Sequence, residues 1–276
     1  MKNEPDQQSL IPGLHRVKEA FPLSSVLNGH GDTWVSAHRE RNRTWFELYS
    51  RIDALCHKVR AQLRWDANDP QRRFVNALYH RSLSLFESVY VIAEKGFMAE
   101  SRILSRSLLE LTFVLVAALK DKTFPEKYAS GIAASETKLL NQSLPHLTQY
   151  LPQEKLEKLK KQQRGLQPAS KGINPNKVEP ISILAGLHDR YDTAYRALCR
   201  STHVGPHDLD QYLVLDQQRR ITGFQYGPSS DHFEMSMFIS ADTMMLILRS
   251  VCPYNNIDAI QEWMQLAGEL TKLGKA

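Results

Sequence analysis

Between Phe97 and Lys120 the chain reads FMAESRILSRSLLELTFVLVAALK, its most apolar run and one that carries charges such a run seldom holds. Leu104, Leu108, Leu111, Leu115 and Leu119 recur at helical spacing, and Ile103, Phe113, Val114 and Val116 fill other faces. A helix apolar nearly all round packs at the centre of a fold. The remaining segments must therefore wrap around this one. Arg102, Arg106 and Glu110 stand at successive i, i+4 positions and so project from one side. Charges inside a core are tolerated when paired, and Arg106 with Glu110 is the evident pair. Two roles are open for this polar stripe: an ion pair that fixes helix packing, or the wall of a cleft.

Periodicity elsewhere supplies the wrapping segments. Residues 1–43, punctuated by Pro5, Pro12, Pro22, Gly13, Gly29 and Gly31, read as an irregular N-terminal arm. The rest, 44–276, reads as a single helical-bundle domain with its core over 70–250. Thr44 caps a helix that runs to Trp65, with Trp45, Leu48, Ile52, Leu55, Val59 and Leu63 at a period near 3.6. Asp69-Pro70 opens a second, with Asp as cap and Pro in the first turn. Gly96 ends it, and the central helix follows at once, so these two form an antiparallel hairpin. Phe124-Pro125 and Pro152 start two more, the second dense in lysine: Lys155, Lys158, Lys160 and Lys161. That run reads most simply as a solvated face. Gly165 to Pro180 is a linker, either a flap or a long connection. From Pro180 a helix carries Ile183, Leu187, Tyr191, Tyr195 and Leu198 on to His203, where Gly205-Pro206 breaks it. Residues 217–228, QQRRITGFQYGP, form a short extended or hairpin-like piece. Ser230-Asp231 caps a further helix, and the last runs from about Asn256 to Leu273. No run alternates strictly enough to build a sheet. The expected fold is all-α, a bundle of about seven to eight helices.

The chain has 276 residues and a net charge of +5. That permits an anionic partner such as RNA without demanding one. Cys56, Cys199 and Cys252 lie far apart, with no CxxC, which argues against a disulfide framework or a zinc knuckle. Reduced thiols fit a cytoplasmic protein. The N-terminus lacks the apolar stretch of a signal peptide, and Leu111 to Leu119 is too short to cross a bilayer.

Chemistry concentrates at Arg196 to His207. Arg196, Arg200 and His203 stand at a helix end beside a tight turn, a constellation suited to handling an anion. An imidazole near neutrality can move a proton from a ribose 2′-hydroxyl. A guanidinium beside it can hold the phosphate and stabilise the charge that builds up. The competing reading pairs these arginines with Asp189, Asp192 or Glu110 and uses His203 to close the helix end. His203, His207, Asp208 and Asp210 are conceivable metal ligands, but Gly205-Pro206 between the histidines destroys helical geometry. His80, His146, His188 and His232 are isolated. GxGxxG, P-loop, GxSxG and HExxH signatures are all missing.

Two resemblances follow from these residues. A helix, Gly96, SRILSRSLLEL, a lysine-rich middle, YRALCRSTHVGP, FQYGP and a closing helix, in that order, resemble the bacterial DUF5677 family over roughly 70–250. Arg106 to Glu110 with Tyr195 to His203 is the most specific part. That resemblance implies a helical fold more firmly than a function. The spacing of Arg196 and His203, with six residues between them, resembles the Arg…His motif of HEPN ribonucleases, although the polar residue usual after the Arg is Ala197 here. This second resemblance implies a metal-independent endoribonuclease without cofactor, acting as a toxin or anti-phage effector. It implies RNA as substrate, a homodimer and a cognate antitoxin or defence partner. Arg196 would hold the phosphate and His203 would shuttle the proton. Arg200 would stabilise charge and Tyr195 would orient a neighbour, with Arg102, Arg106, Glu110 and His207 in support. The alternative is a non-enzymatic helical module that binds a partner protein or a small anionic ligand through the Arg102/Arg106/Glu110 and Arg196/His203 stripe. A third reading is a purely structural dimer.

Overall fold

The computed structural model describes residues 32–166, 172–200, 209, 212–224 and 226–275. The fold is mostly helical with one small antiparallel hairpin. Its first helix, α1 (Asp32–Arg41), lies in the stretch expected to be irregular. The cause is His38, which is 1% exposed, stacks on Trp34 and meets Phe46 and Phe233 edge-on. Tertiary aromatic packing, not local apolar period, holds this segment helical. Next, α2 (Arg43–Arg60) buries the periodic set Trp45, Leu48, Ile52, Leu55 and Val59. Asn42, not Thr44, precedes it as cap residue, and it stops short of Trp65, which is exposed.

The helix α3 (Pro70–Glu94) begins as its residues dictate: the Asp69 carboxylate accepts the Arg72 amide at 2.8 Å. Gly96 follows its end at φ +77°. The hairpin partner α4 (Met98–Lys120) is central, with Leu108, Leu109, Phe113, Leu115 and Ala118 wholly buried. Three of its hydroxyls are satisfied inside the core: Ser105 and Thr112 donate to carbonyls four residues back, and Ser101 meets Ser236 at 2.7 Å.

After α4 come α5 (Phe124–Leu147) and α6 (Gln153–Gly165). Lys158 pairs with Glu154 and Lys160 with Glu157 on an exposed face of α6, in keeping with a solvated lysine run. Within the linker, Gly172 and Ile173 are pressed onto α5. A Cβ on Gly131 would run into the Ile173 carbonyl, and one on Gly172 into the Gly131 backbone. The Ile173 amide donates to Lys127 O at 2.9 Å. Two glycines thus let backbone lie on backbone.

The helix expected from Pro180 to His203 is divided. The first piece, α7 (Val178–Ala185), ends at Gly186, whose φ of +66° closes it with bonds back to Ile183 and Ser182. The chain restarts as α8 (His188–Arg190), widens through a π-helical turn at Tyr191–Tyr195, and continues as α9 (Arg196–Cys199). The extended piece starts earlier than expected: β1 (Leu213–Leu215) pairs antiparallel with β2 (Ile221–Phe224), Leu213 opposite Phe224, with an irregularity between Val214 and Leu215. Two helices close the fold, α10 (Phe233–Tyr254) and α11 (Ile260–Leu273). His232, at φ +61°, precedes α10 in place of a Ser230-Asp231 cap.

At mean hydropathy 1.4 over its apolar window, the 22-residue α10 is long and apolar enough to cross a membrane by length and composition. It therefore rivals the 97–120 run as the most apolar segment. Yet 61% of that window is buried against the other helices, including α2, α3 and α4, so it reads as a second core helix beside α4.

Candidate functional site

Within the polar stripe on α4, Arg106 and Glu110 are paired, and Glu110 also lines a cleft. Arg106 Nη2 lies 2.7 Å from Glu110 Oε1, one helical turn on. The same nitrogen donates to the Tyr195 hydroxyl at 2.8 Å, and that hydroxyl donates to Glu110 Oε1 at 2.7 Å. The three groups close a triangle. The Arg106 guanidinium also sits over the Tyr195 ring, 5.0 Å from its centre, while Phe113 meets that ring edge-on. Burial pushes the Tyr195 hydroxyl well above its ordinary pKa; the Arg106 bond opposes this and Glu110 adds to it. Tyr195 is therefore a fixed hydrogen-bond donor. Burial works against the Arg106 charge, but the bond to Tyr195 and the charge of Glu110 outweigh it and leave the guanidinium above its usual value. Its Nε is buried without a hydrogen-bond partner. Arg102, one turn earlier, is 6% exposed.

Glu110 faces a second way. With Arg81, Ser107 and Tyr128 it supplies polar groups to a cavity of about 250 Å³, whose apolar wall includes Leu78, Leu85, Leu111, Val114 and Ile181. The cavity lies among α3, α4, α5 and α7. Arg81 and Tyr128 were not singled out from the sequence, because each sits at an ordinary position on an amphipathic helix and only the packing brings them to Glu110.

Arg196 behaves differently from Arg106. Its side chain is 68% exposed, with Nη1 a loose 3.6 Å from Asp192 Oδ1, and its guanidinium lies over the Tyr191 ring at 6.0 Å. Tyr191 stacks on His188 and on Tyr195, at ring separations of 5.6 and 5.1 Å. The π-helical turn carries this aromatic ladder; such turns concentrate at functional sites. Arg200 is exposed at the end of α9. His203 and His207, with Asp208 and Asp210, lie outside the described residues. The structure thus brings Tyr195, Arg106 and Glu110 into contact, buries Arg102 beside them, and sets Arg196 and Arg200 towards solvent.

Residues 72–220 match the sequence model of a family of unknown function, DUF5677. The chain belongs to DUF5677. The DUF5677 match runs from the start of α3 to the turn after β1, so it contains Arg102, Arg106, Glu110, Tyr195, Arg196 and Arg200. It ends well before the boundary near residue 250 that the residue pattern suggested, leaving α10 outside. The segments α1, α2 and α11 are also outside the DUF5677 span. No curated protein and no solved structure matches the chain.

Proposed function

We propose that this DUF5677 protein is a metal-independent endoribonuclease of HEPN-like type, acting on single-stranded RNA as a toxin or anti-phage effector. The carrying observation is the contrast between its arginines. Arg106 is held by Glu110 and Tyr195, whereas Arg196 and Arg200 are exposed on the short helix immediately after them. A chain that ties one guanidinium to its core and leaves two exposed to solvent has cations to offer an anion. The His188–Tyr191–Tyr195 ladder beside Arg196 adds aromatic faces on which a base can stack.

In the proposed mechanism the Arg106–Tyr195–Glu110 triangle positions the helix. Arg196 grips the scissile phosphate bidentately, and Arg200 stabilises the charge of the transition state. His203 takes the 2′-hydroxyl proton as that oxygen attacks the phosphorus, and the imidazolium so formed gives it to the departing 5′-oxygen, leaving a 2′,3′-cyclic phosphate end. His207 would assist His203 in that transfer. A second copy would complete the cleft, and a cognate antitoxin or defence partner would restrain it in a cytoplasm.

The test is incubation of purified protein with single-stranded RNA, with and without EDTA, beside His203→Ala and Arg196→Ala. Cleavage indifferent to EDTA, with cyclic phosphate ends, and lost in both variants is the expected result. Wild type and His203→Ala behaving alike overturns the proposal.

A second reading has its own observation. The cavity walled by Glu110, Tyr128 and Arg81 suits a small, largely apolar ligand with a polar end, as a non-enzymatic binding module would need. Tyr128→Trp should then abolish ligand-dependent stabilisation, and neither protein should cleave RNA.

A further inference from the structure

Asp53 and His57 are four residues apart on α2 and so share a face; Glu87 approaches them from α3. Among the described residues these form a group whose three donor atoms all lie within 4.8 Å of one another. His57 Nε2 is 2.9 Å from Glu87 Oε1 and 3.7 Å from Asp53 Oδ2. The edges of a tetrahedron with metal–ligand bonds of about 2.0–2.2 Å are roughly 3.3–3.6 Å. The two separations from His57 straddle that value and the third edge is bounded at 4.8 Å, so a cation fits after shifts on the order of an ångström in side chains that are still part-exposed.

The simpler account, a histidine–carboxylate ion pair, leaves something over. One Nε2 proton cannot serve two carboxylates, and Asp53 is at the longer distance. Asp53 Oδ1 is buried with no hydrogen-bond partner. Two carboxylates converging on one imidazole make a pocket of negative charge that a divalent cation neutralises and a single imidazolium does not.

We infer that Asp53, His57 and Glu87 form a binding site for a zinc-class divalent cation, with three protein ligands and a fourth position left to water. One nitrogen and two oxygens at a surface open on one side suit Zn²⁺ and its analogue Co²⁺. The site is separate from the arginine cluster: α3 turns Arg81 and Leu85 to the cavity and Glu87 towards α2. Its structural effect is plain. Asp53 and His57 precede the DUF5677 span and Glu87 is within it, so the ion fastens the preceding helix to the family's first helix. Cys56 lies between the two α2 ligands but is fully buried, with its carbonyl accepting from Tyr79 at 2.8 Å, and takes no part in the set.

The experiment titrates EDTA-treated full-length protein with Co²⁺, reading its visible absorption, and with Zn²⁺ by calorimetry and thermal unfolding. Glu87→Gln, His57→Ala and Asp53→Asn are measured alongside. Wild type should bind one ion, develop the Co²⁺ bands of a low-coordinate site and unfold at a higher temperature with Zn²⁺. Each variant should bind at least ten-fold more weakly and lose the thermal response. Glu87→Gln, at an exposed position that keeps a hydrogen bond to His57, secures the comparison should another variant fold poorly. Wild type taking up no ion, or all folded variants binding as wild type does, overturns the inference. RNA cleavage surviving EDTA bears on the nuclease and leaves this site untouched.

Discussion

Tyr195 donates its hydroxyl to Glu110 Oε1 at 2.7 Å across 85 positions of sequence, while accepting from Arg106 at 2.8 Å. That one hydroxyl ties the helix bearing Arg196 and Arg200 to the central helix of the fold.

Tyr195→Phe removes the hydroxyl and keeps the ring over Arg106. The Arg106–Glu110 pair survives, so the loss is the hydroxyl's two charge-assisted hydrogen bonds, at about 1.5–3 kcal/mol each. Urea unfolding should show a lower midpoint with an unchanged slope. A double-mutant cycle with Glu110→Gln should return a coupling of about 1 kcal/mol or more, because the two groups touch.

The buried ring of His38 makes stability depend on pH. Burial first, then the charge of Arg41, lower its pKa from 6.5 to about 4, against a backbone bond that raises it. The unfolded chain therefore takes up this proton first. The contribution of the neutral ring is complete above pH 6.5 and is lost as pH falls towards 4. Over the whole window it amounts to roughly 3 kcal/mol. Wild-type stability should decline by up to about 1.4 kcal/mol per pH unit just above pH 5, and His38→Gln should remove most of that slope.

Gly186→Ala places a side chain at φ +66°, where its Cβ also meets Lys120 Nζ. Left-handed backbone costs a non-glycine residue about 1–2 kcal/mol. The lysine, which donates to Ala185 O at 2.6 Å, must also shift. Thermal unfolding should report a loss of that size, whereas alanine at Gly165, with open space around it, should not destabilise.

If Arg196 and Arg200 each neutralise one RNA phosphate, replacing both with alanine should flatten the salt dependence of binding. For a single strand the slope of log K against log salt should fall in magnitude by about 1.4, roughly 0.7 per contact. Fluorescence anisotropy over a salt series with a non-cleavable RNA measures it.

How far the fold could be read depended on whether the cause was local. Asp69-Pro70 and Gly96 mark the ends of α3 by their own backbone chemistry, and both were legible. The Arg106–Glu110 pair follows from a four-residue spacing. Tyr195 as the third member does not, since no local rule reaches across 85 residues. The break at Gly186 was hidden because Ile183, Leu187 and Tyr191 keep helical spacing through it. The helix α1 was hidden for the opposite reason: it carries little apolar period, and His38 holds it by contacts with Phe46 and Phe233. Two of the three ligands of the proposed cation site, Asp53 and His57, are visible as a pair on α2, but Glu87 joins only when α3 packs.

The backbone contact between Gly131 and residues 172–173 has a further consequence. Tyr128 lies one turn before Gly131 and Pro175 two residues after Ile173, and both line the cavity beside Glu110. The spacing of those two walls is therefore held by a contact of backbone on backbone. Any larger residue at either glycine would act as a wedge, prising α5 away from residues 172–173 and spreading Tyr128 from Pro175.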